Sequence, residues 1–258
     1  MVYNNKVKKI YTEIAMIKLI VSDFDGTLMP YGQSELRPTV KKRIEELTGK
    51  GIAFAVSSGR TYSELLPYFR GLEDRLWFIC CDGAYYIRGG RSFYEKKIER
   101  TDLEIFFKNA GEGFSFILHG AEKNYCVGDI PTSARTFCAQ KISSIFEVKE
   151  KIFKITSFGR EIRLPEYSGL RMHWDGGADR TAQYVNRFCD KGAALSDLQV
   201  RLMLTRFDTA AMGDGGNDVA MMKNAKLSIR IGSRSEELAE VCNAAYDSAE
   251  EALDALSE

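Results

Sequence analysis

The sequence predicts an α/β protein: a doubly wound parallel sheet interrupted by an inserted α+β region. Three observations carry that prediction. Nearly continuous apolar runs, such as Ile17-Lys18-Leu19-Ile20-Val21, alternate with amphipathic stretches over the first 84 residues, and strands covered on both faces require such runs. The alternation breaks at Asp82-Gly83-Ala84, where closely spaced strands replace strand–helix units. It resumes near Lys191. The expected division is a core of residues 16–84 and 188–258, a cap-like insert of residues 85–187, and an N-terminal extension of residues 1–15.

Taken in order, residues 1–15 are polar and carry Lys6, Lys8 and Lys9; they either extend the domain or precede a natural start at Met16. The run at 17–21 is the first strand. Residues 38–50 predict a helix, because Pro38 suits a first turn, Val40, Ile44 and Leu47 share one face, and Gly49 and Gly51 stop it. A second buried strand at 52–56 runs into Ser57-Ser58-Gly59-Arg60, a short helix limited by Pro67 follows, and 76–81 is a third strand. In the insert, 85–88 and 91–94 form a hairpin across Gly89-Gly90. A helix at 102–110 and strands at 114–118, 125–127, 152–158 and 184–188 complete it. Tyr85, Tyr86, Phe93, Tyr94, Phe106 and Phe107 are expected in its hydrophobic core. The returning core reads as helix 191–204, strand 208–212, loop 213–218, helix 219–224, strand 227–231 and helices 235–241 and 248–256.

Lys plus Arg balance Asp plus Glu at 36 each, so no global field favours nucleic acid or an anionic membrane. The apolar runs are too short to cross a bilayer and no signal-peptide pattern opens the chain, which predicts a cytoplasmic protein. Six cysteines without a CxxC pair read as reduced, mostly buried thiols. His119 and His173 lie too far apart for a histidine zinc motif, and His119 is expected to be partly exposed. A homodimer is left open.

The chemistry concentrates in Asp23-Phe24-Asp25-Gly26-Thr27. Open parallel sheets bind ligands at the carboxyl ends of their strands, where Asp23 suits a nucleophile or metal ligand and Asp25 offers a second carboxyl for proton transfer. Gly26 frees the turn and Thr27 adds a hydroxyl. A second acidic cluster, Asp214 and Asp218, lies in Gly213-Asp214-Gly215-Gly216-Asn217-Asp218. Alone it would be ordinary turn chemistry. Joined to Asp23 and Asp25 it makes an all-oxygen, strongly anionic site that suits Mg²⁺ and whose carboxylates repel one another without a cation. Lys191 stands at a helix start, where the dipole disfavours it, and that placement points to a functional reason.

These segments resemble the motifs of the haloacid dehalogenase superfamily of phosphohydrolases. Asp23 to Thr27 is similar to its first motif, Ser58-Gly59-Arg60 to its second, Lys191-Gly192 to its third, and Gly213 to Asp218 with Val219-Ala220-Met221-Met222 to its fourth. The resemblance covers residues 17 to about 243 in the right order. Asp82-Gly83-Ala84 and Lys191-Gly192-Ala193-Ala194-Leu195 resemble its Cof-type sugar-phosphatase branch, whose members carry a large α/β cap. The resemblance implies that Asp23 attacks phosphorus and forms an aspartyl-phosphate, and that Asp25 carries the proton. Mg²⁺ would be held by Asp23, the Asp25 backbone carbonyl and Asp214, with Asp218 steadying or sharing it. Ser58 would bond the phosphoryl oxygens, Lys191 would neutralise charge with Asn217 beside it, and Gly26, Thr27, Gly59 and Asp82 would line the phosphate and substrate site. Between Ser57 and Ser58, adjacency to Gly59 favours Ser58. Arg60 is expected to pair with an acidic residue near the hinge.

The implied substrate is a small phosphorylated metabolite, a sugar phosphate first. A phosphomutase or phosphotransferase using the same intermediate, or a binding protein without turnover, are the alternatives. The family more often has Asn where Asp82 stands, and a carboxylate there disfavours a second anionic group nearby. Tyr184-Val185-Asn186 also departs from the more frequent pattern. His173-Trp174-Asp175-Gly176-Gly177 is a candidate sugar-facing segment.

Overall fold

The computed structural model describes residues 17–257 except 112, 133, 135–139, 160 and 176–179, and for 174 and 175 the backbone alone. The extension expected at 1–15 lies outside the described residues. The chain runs β1 (Leu19–Asp23), α1 (Pro38–Gly49), β2 (Ala53–Ser57), α2 (Tyr62–Leu65), β3 (Leu76–Cys80), β4 (Tyr85–Arg88) and β5 (Arg91–Glu95). It continues through α3 (Arg100–Ala110), β6 (Phe116–Gly120), β7 (Asn124–Val127), β8 (Gln140–Lys141), β9 (Ile152–Phe158), β10 (Leu170–Asp175) and β11 (Thr181–Asn186). The last part is α4 (Lys191–Arg201), β12 (Thr209–Gly213), α5 (Val219–Lys223), β13 (Leu227–Ile231), α6 (Glu236–Val241), β14 (Ala244–Tyr246) and α7 (Ala249–Ala255).

Two sheets result. The larger has the order β14-β13-β12-β1-β2-β3-β4-β5, and the smaller β10-β11-β9-β6-β7-β8. From β14 to β3 every pairing is parallel, which places β1 centrally and buries all five of its residues. α1 covers one face through the predicted Val40, Ile44 and Leu47. α4 and α5 cover the other, where Leu195, Leu198, Met221 and Met222 pack on Leu19 and Val21. Each fully buried side chain of this kind contributes roughly 1.5–3 kcal/mol of transfer free energy.

The hairpin expected to open the insert belongs to the larger sheet. The 85–95 hairpin pairs antiparallel with β3 and completes the larger sheet. Tyr85 therefore packs in one core layer of that sheet and Tyr86 and Tyr94 in the other. Phe106 and Phe107, both on α3, do belong to the insert's apolar layer. β10 escapes sequence reading because its polar residues hide the alternation, β8 and β14 because two or three residues are too few to show one, and β11 starts at Thr181 rather than 184. Cys126 is disulfide-bonded, contrary to the expectation of six thiols, while Cys80, Cys81, Cys189 and Cys242 are free. Among the described residues no helix is long and apolar enough to cross a membrane.

Candidate active site

Parallel β1 and β12 end side by side, and this brings the two acidic segments together across 190 residues of chain. Asp23 closes β1, and Asp214 follows β12 directly. A Cβ at Gly26, whose φ is +87°, would collide with the Asp214 carboxylate; only glycine permits the first loop to lie against the second acidic segment. Thr27 Oγ1 donates to Asp214 Oδ1 at 3.5 Å and Tyr31 Oη to Asp214 Oδ2 at 3.1 Å.

Lys191 is the first residue of α4. Asp190 accepts from the Ala193 N–H at 2.7 Å and caps the helix. A Cβ at Gly192 would meet the Ala220 carbonyl at 2.6 Å, so glycine lets α4 lie close against α5 and carries Lys191 into the site. There the ammonium donates to Asp23 Oδ1 at 2.5 Å and to Asp218 Oδ1 at 2.7 Å. Burial opposes its charge, yet Asp218 and Asp23 raise its pKa above the ordinary lysine value. Asp218 also accepts from the Gly215 N–H at 3.2 Å.

Asp23 is 5% exposed and its Oδ2 is buried without a partner. Burial pushes its carboxyl well up, Lys191 opposes the shift, and Asp218 and Asp214 add to it. Burial, then Asp218, raises Asp214 as well. Asp23, Asp214 and Asp218 each offer an oxygen within 4.8 Å of the others. Among the described cations Lys191 alone bonds these carboxylates, and Arg234 acts on Asp214 from a distance, so three carboxylates face two cations and the cluster keeps net negative charge. An all-oxygen donor set with that charge fits a hard divalent cation such as Mg²⁺.

Asp25 stands apart from the other three. Arg60 grips its carboxylate bidentately, Nε to Oδ2 at 2.9 Å and Nη2 to Oδ1 at 2.6 Å. Arg60 is itself laid over Phe24 and Tyr68. The acidic partner expected for Arg60 near the hinge is thus Asp25. Ser57 is the register partner of Asp23, and its buried Oγ has no partner. Ser58 Oγ accepts from the Arg60 N–H at 3.1 Å, which leaves its own proton for an incoming oxygen.

Asn217 is exposed on the turn before α5, while Lys191 bonds Asp23 and Asp218. One expectation changes. His119 is buried at 7% exposure, with Nε2 2.9 Å from Thr156 Oγ1. Burial pulls its pKa well below the ordinary histidine value. Of the segment 173–177, His173 is exposed; the side chains of Trp174 and Asp175, and both glycines, lie outside the described residues.

Asp82 occupies a tight bend. Cys81 and Asp82 both have positive φ, 50° and 56°, a left-handed conformation that costs roughly 1–2 kcal/mol per residue. Backbone bonds hold the bend, Cys81 N–H to Arg60 O at 2.9 Å and Asp82 N–H to Ser58 O at 3.0 Å. The bend sets the Asp82 carboxylate against Gly59. From the insert, Lys154 reaches the same place, donating to the Gly59 carbonyl and lying 4.0 Å from Asp82. Sequence reasoning missed Tyr31 and Lys154 because neither belongs to a motif. The one local hint for Lys154 is a lone cation in the apolar run Ile152-Phe153-Lys154-Ile155.

Comparison with known proteins identifies the family. The profile of the haloacid dehalogenase-like hydrolases matches residues 20–257. The 5-amino-6-(5-phospho-D-ribitylamino)uracil phosphatase YcsE of Bacillus subtilis strain 168 is 23% identical over 231 residues, covering 88% of this chain and 88% of its own. The solved structure of SMU.1108c from Streptococcus mutans UA159 superposes with a TM-score of 0.80 at 25% identity, covering 93% of this chain and 97% of that one. The HAD subclass IIB sugar phosphatase BT4131 shares the fold, with a TM-score of 0.76 at 18% identity over 93% of this chain and 96% of its own. With two acidic strand ends, a buried lysine between them and a family profile spanning the described fold, this chain belongs to the haloacid dehalogenase-like hydrolases.

Proposed function

We propose that this protein is a Mg²⁺-dependent phosphatase that cleaves phosphate monoesters of small metabolites, sugar phosphates first, through an aspartyl-phosphate. The observation that carries the proposal is the orphaned, buried Oδ2 of Asp23, beside a lysine that holds Oδ1. One carboxylate oxygen is fixed and the other is free to attack phosphorus, splitting one hard step into two. Lys191 neutralises charge at that centre, and the Ser58 hydroxyl donates to a phosphoryl oxygen. Asp25 is the proton carrier. Its side chain is 39% exposed, so a leaving alkoxide and then a water can reach it, while Arg60 fixes its orientation. Asp23, Asp214, Asp218 and the Asp25 backbone carbonyl would hold Mg²⁺, which when bound supplies neutralisation of the phosphoryl oxygens. Gly26, Thr27 and Gly59 shape the loops around it, and the insert serves as the cap over the leaving group.

The related enzymes support the substrate class. One is named for a phosphorylated ribityl chain and another as a sugar phosphatase, and both names describe phosphate on a polyhydroxylated carbon chain. The test is phosphate release from p-nitrophenyl phosphate and a panel of sugar phosphates with Mg²⁺, together with mass analysis of acid-quenched enzyme for a phosphoryl group on Asp23. Release without an added acceptor separates hydrolysis from phosphotransfer. Full activity in excess chelator, or turnover by Asp23→Asn, would overturn the mechanism.

A further inference from the structure

We infer that Asp82 and Lys154 form a charge-balanced leaving-group subsite that selects a neutral, polyhydroxylated group over one bearing a second anion. The inference rests on the phosphatase reading above.

The two charges come from different sheets. Asp82 follows β3 at the end of the larger sheet, whereas Lys154 lies in β9 of the smaller one. Lys154 Nζ is 4.0 Å from Asp82 Oδ2, donates to the Gly59 carbonyl, and reaches Gln183 Oε1 at 3.4 Å. Both charged heads crowd the Gly59 α-carbon: a Cβ built there would lie 3.2 Å from Asp82 Oδ2 and 3.3 Å from Lys154 Nζ. Gly59 adjoins Ser58, so the pair sits next to the phosphoryl site. Their side chains are only 7% and 18% exposed for Lys154 and Asp82, which keeps the interaction poorly screened. Asp82 also helps hold Lys191 charged, and so stands between the site lysine and the insert lysine.

In-line displacement puts the leaving oxygen opposite the attacking carboxylate, on the side of the insert. A hydroxyl arriving there finds an acceptor in Asp82 and donors in Lys154 and Gln183. A second phosphate or carboxylate finds the Asp82 charge, with Lys154 already neutralised by it. The left-handed backbone at Cys81 and Asp82 is consistent with this role, because such conformations persist where function requires a side chain to be aimed.

Sorbitol 6-phosphate and 6-phosphogluconate differ only in a terminal hydroxymethyl against a carboxylate, and serve as the probe pair. The wild-type protein is expected to favour sorbitol 6-phosphate in kcat/KM by about tenfold or more, the size of one poorly screened charge contact. Asp82→Asn should move the ratio toward 6-phosphogluconate by about tenfold, and Lys154→Met should move it the other way. Lys154→Arg should keep the wild-type ratio, and the double variant Asp82→Asn/Lys154→Met should return near it, which a merely structural role would not produce. Equal losses on both substrates, or an unmoved ratio, overturn the inference. So does hydrolysis of p-nitrophenyl phosphate without measurable turnover of sorbitol 6-phosphate. No turnover of p-nitrophenyl phosphate with Mg²⁺ would instead remove the phosphatase reading itself.

Discussion

The two sheets solve opposite problems. In the larger one, helices cover both faces, and β1, β2 and β3 are apolar up to their carboxyl ends, where the polar chemistry begins. The smaller sheet is antiparallel apart from the short β7–β8 pair, and its two faces differ. Phe116, Leu118, Tyr125, Ile155 and Tyr184 pack in the apolar layer with Phe106 of α3. Their neighbours His119, Asn124, Lys154 and Gln183 alternate to the opposite face. That polar face meets the larger sheet's loops, Asn124 donating to Glu64 Oε1 at 3.1 Å and Lys154 to the Gly59 carbonyl. One sheet therefore fixes reacting groups at its edge, and the other brings the polar part of one face to what the edge holds, the rest of that face being closed by Ile117, Cys126, Ile130 and Ala134.

Asp23→Asn breaks the strand-end half of this comparison hardest. It should reduce phosphate release by at least about a thousandfold and leave the melting profile intact, because the isosteric amide keeps the packing of β1. Retained activity would show that the strand end is not where the reaction occurs. Leu118→Ala tests the apolar face of the insert. A buried leucine truncation costs roughly 2–5 kcal/mol, so the urea midpoint should fall clearly; an unchanged midpoint would mean that the layer under α3 is not a packed core.

Arg60→Gln addresses orientation at the strand end. It removes the fork that holds Asp25, and kcat on p-nitrophenyl phosphate should drop by about ten- to a hundredfold, with Arg60→Lys failing to restore it. A drop confined to KM would argue against a positioning role. The smallest effect belongs to His119. Burial holds its folded-state pKa well below the ordinary 6.5, so the unfolded chain binds the extra proton and stability declines as pH falls below about 6.5. Urea midpoints measured between pH 7 and 5 should fall less steeply in His119→Gln; an identical slope would show that the imidazole is not held neutral.

Much of the site could be read without the fold. Asp23, Asp25, Asp214 and Asp218 advertise themselves as carboxylates placed after apolar runs and among glycines, and Lys191 as a cation at a helix start. The partners were harder. Arg60 was expected to find a carboxylate but not Asp25, and Tyr31 carried no motif at all. Lys154 looked like one polar residue in a strand of the insert. Local pattern announces the 85–95 hairpin but not the sheet that it joins.

By itself, the sequence determined what short-range physics controls: strand against helix, where strands end, and which residue types cluster there. The periodicities of 2 and 3.6 residues and the glycine–carboxylate turns are local, and they survive in the bare chain. Only the tertiary structure decided that Arg60 clamps Asp25, that Tyr31 bonds Asp214, and that Lys154 crosses from one sheet to Asp82 in the other. Those contacts join residues tens to almost two hundred positions apart. They depend on which strands lie side by side and on how the two sheets meet, which no local period encodes.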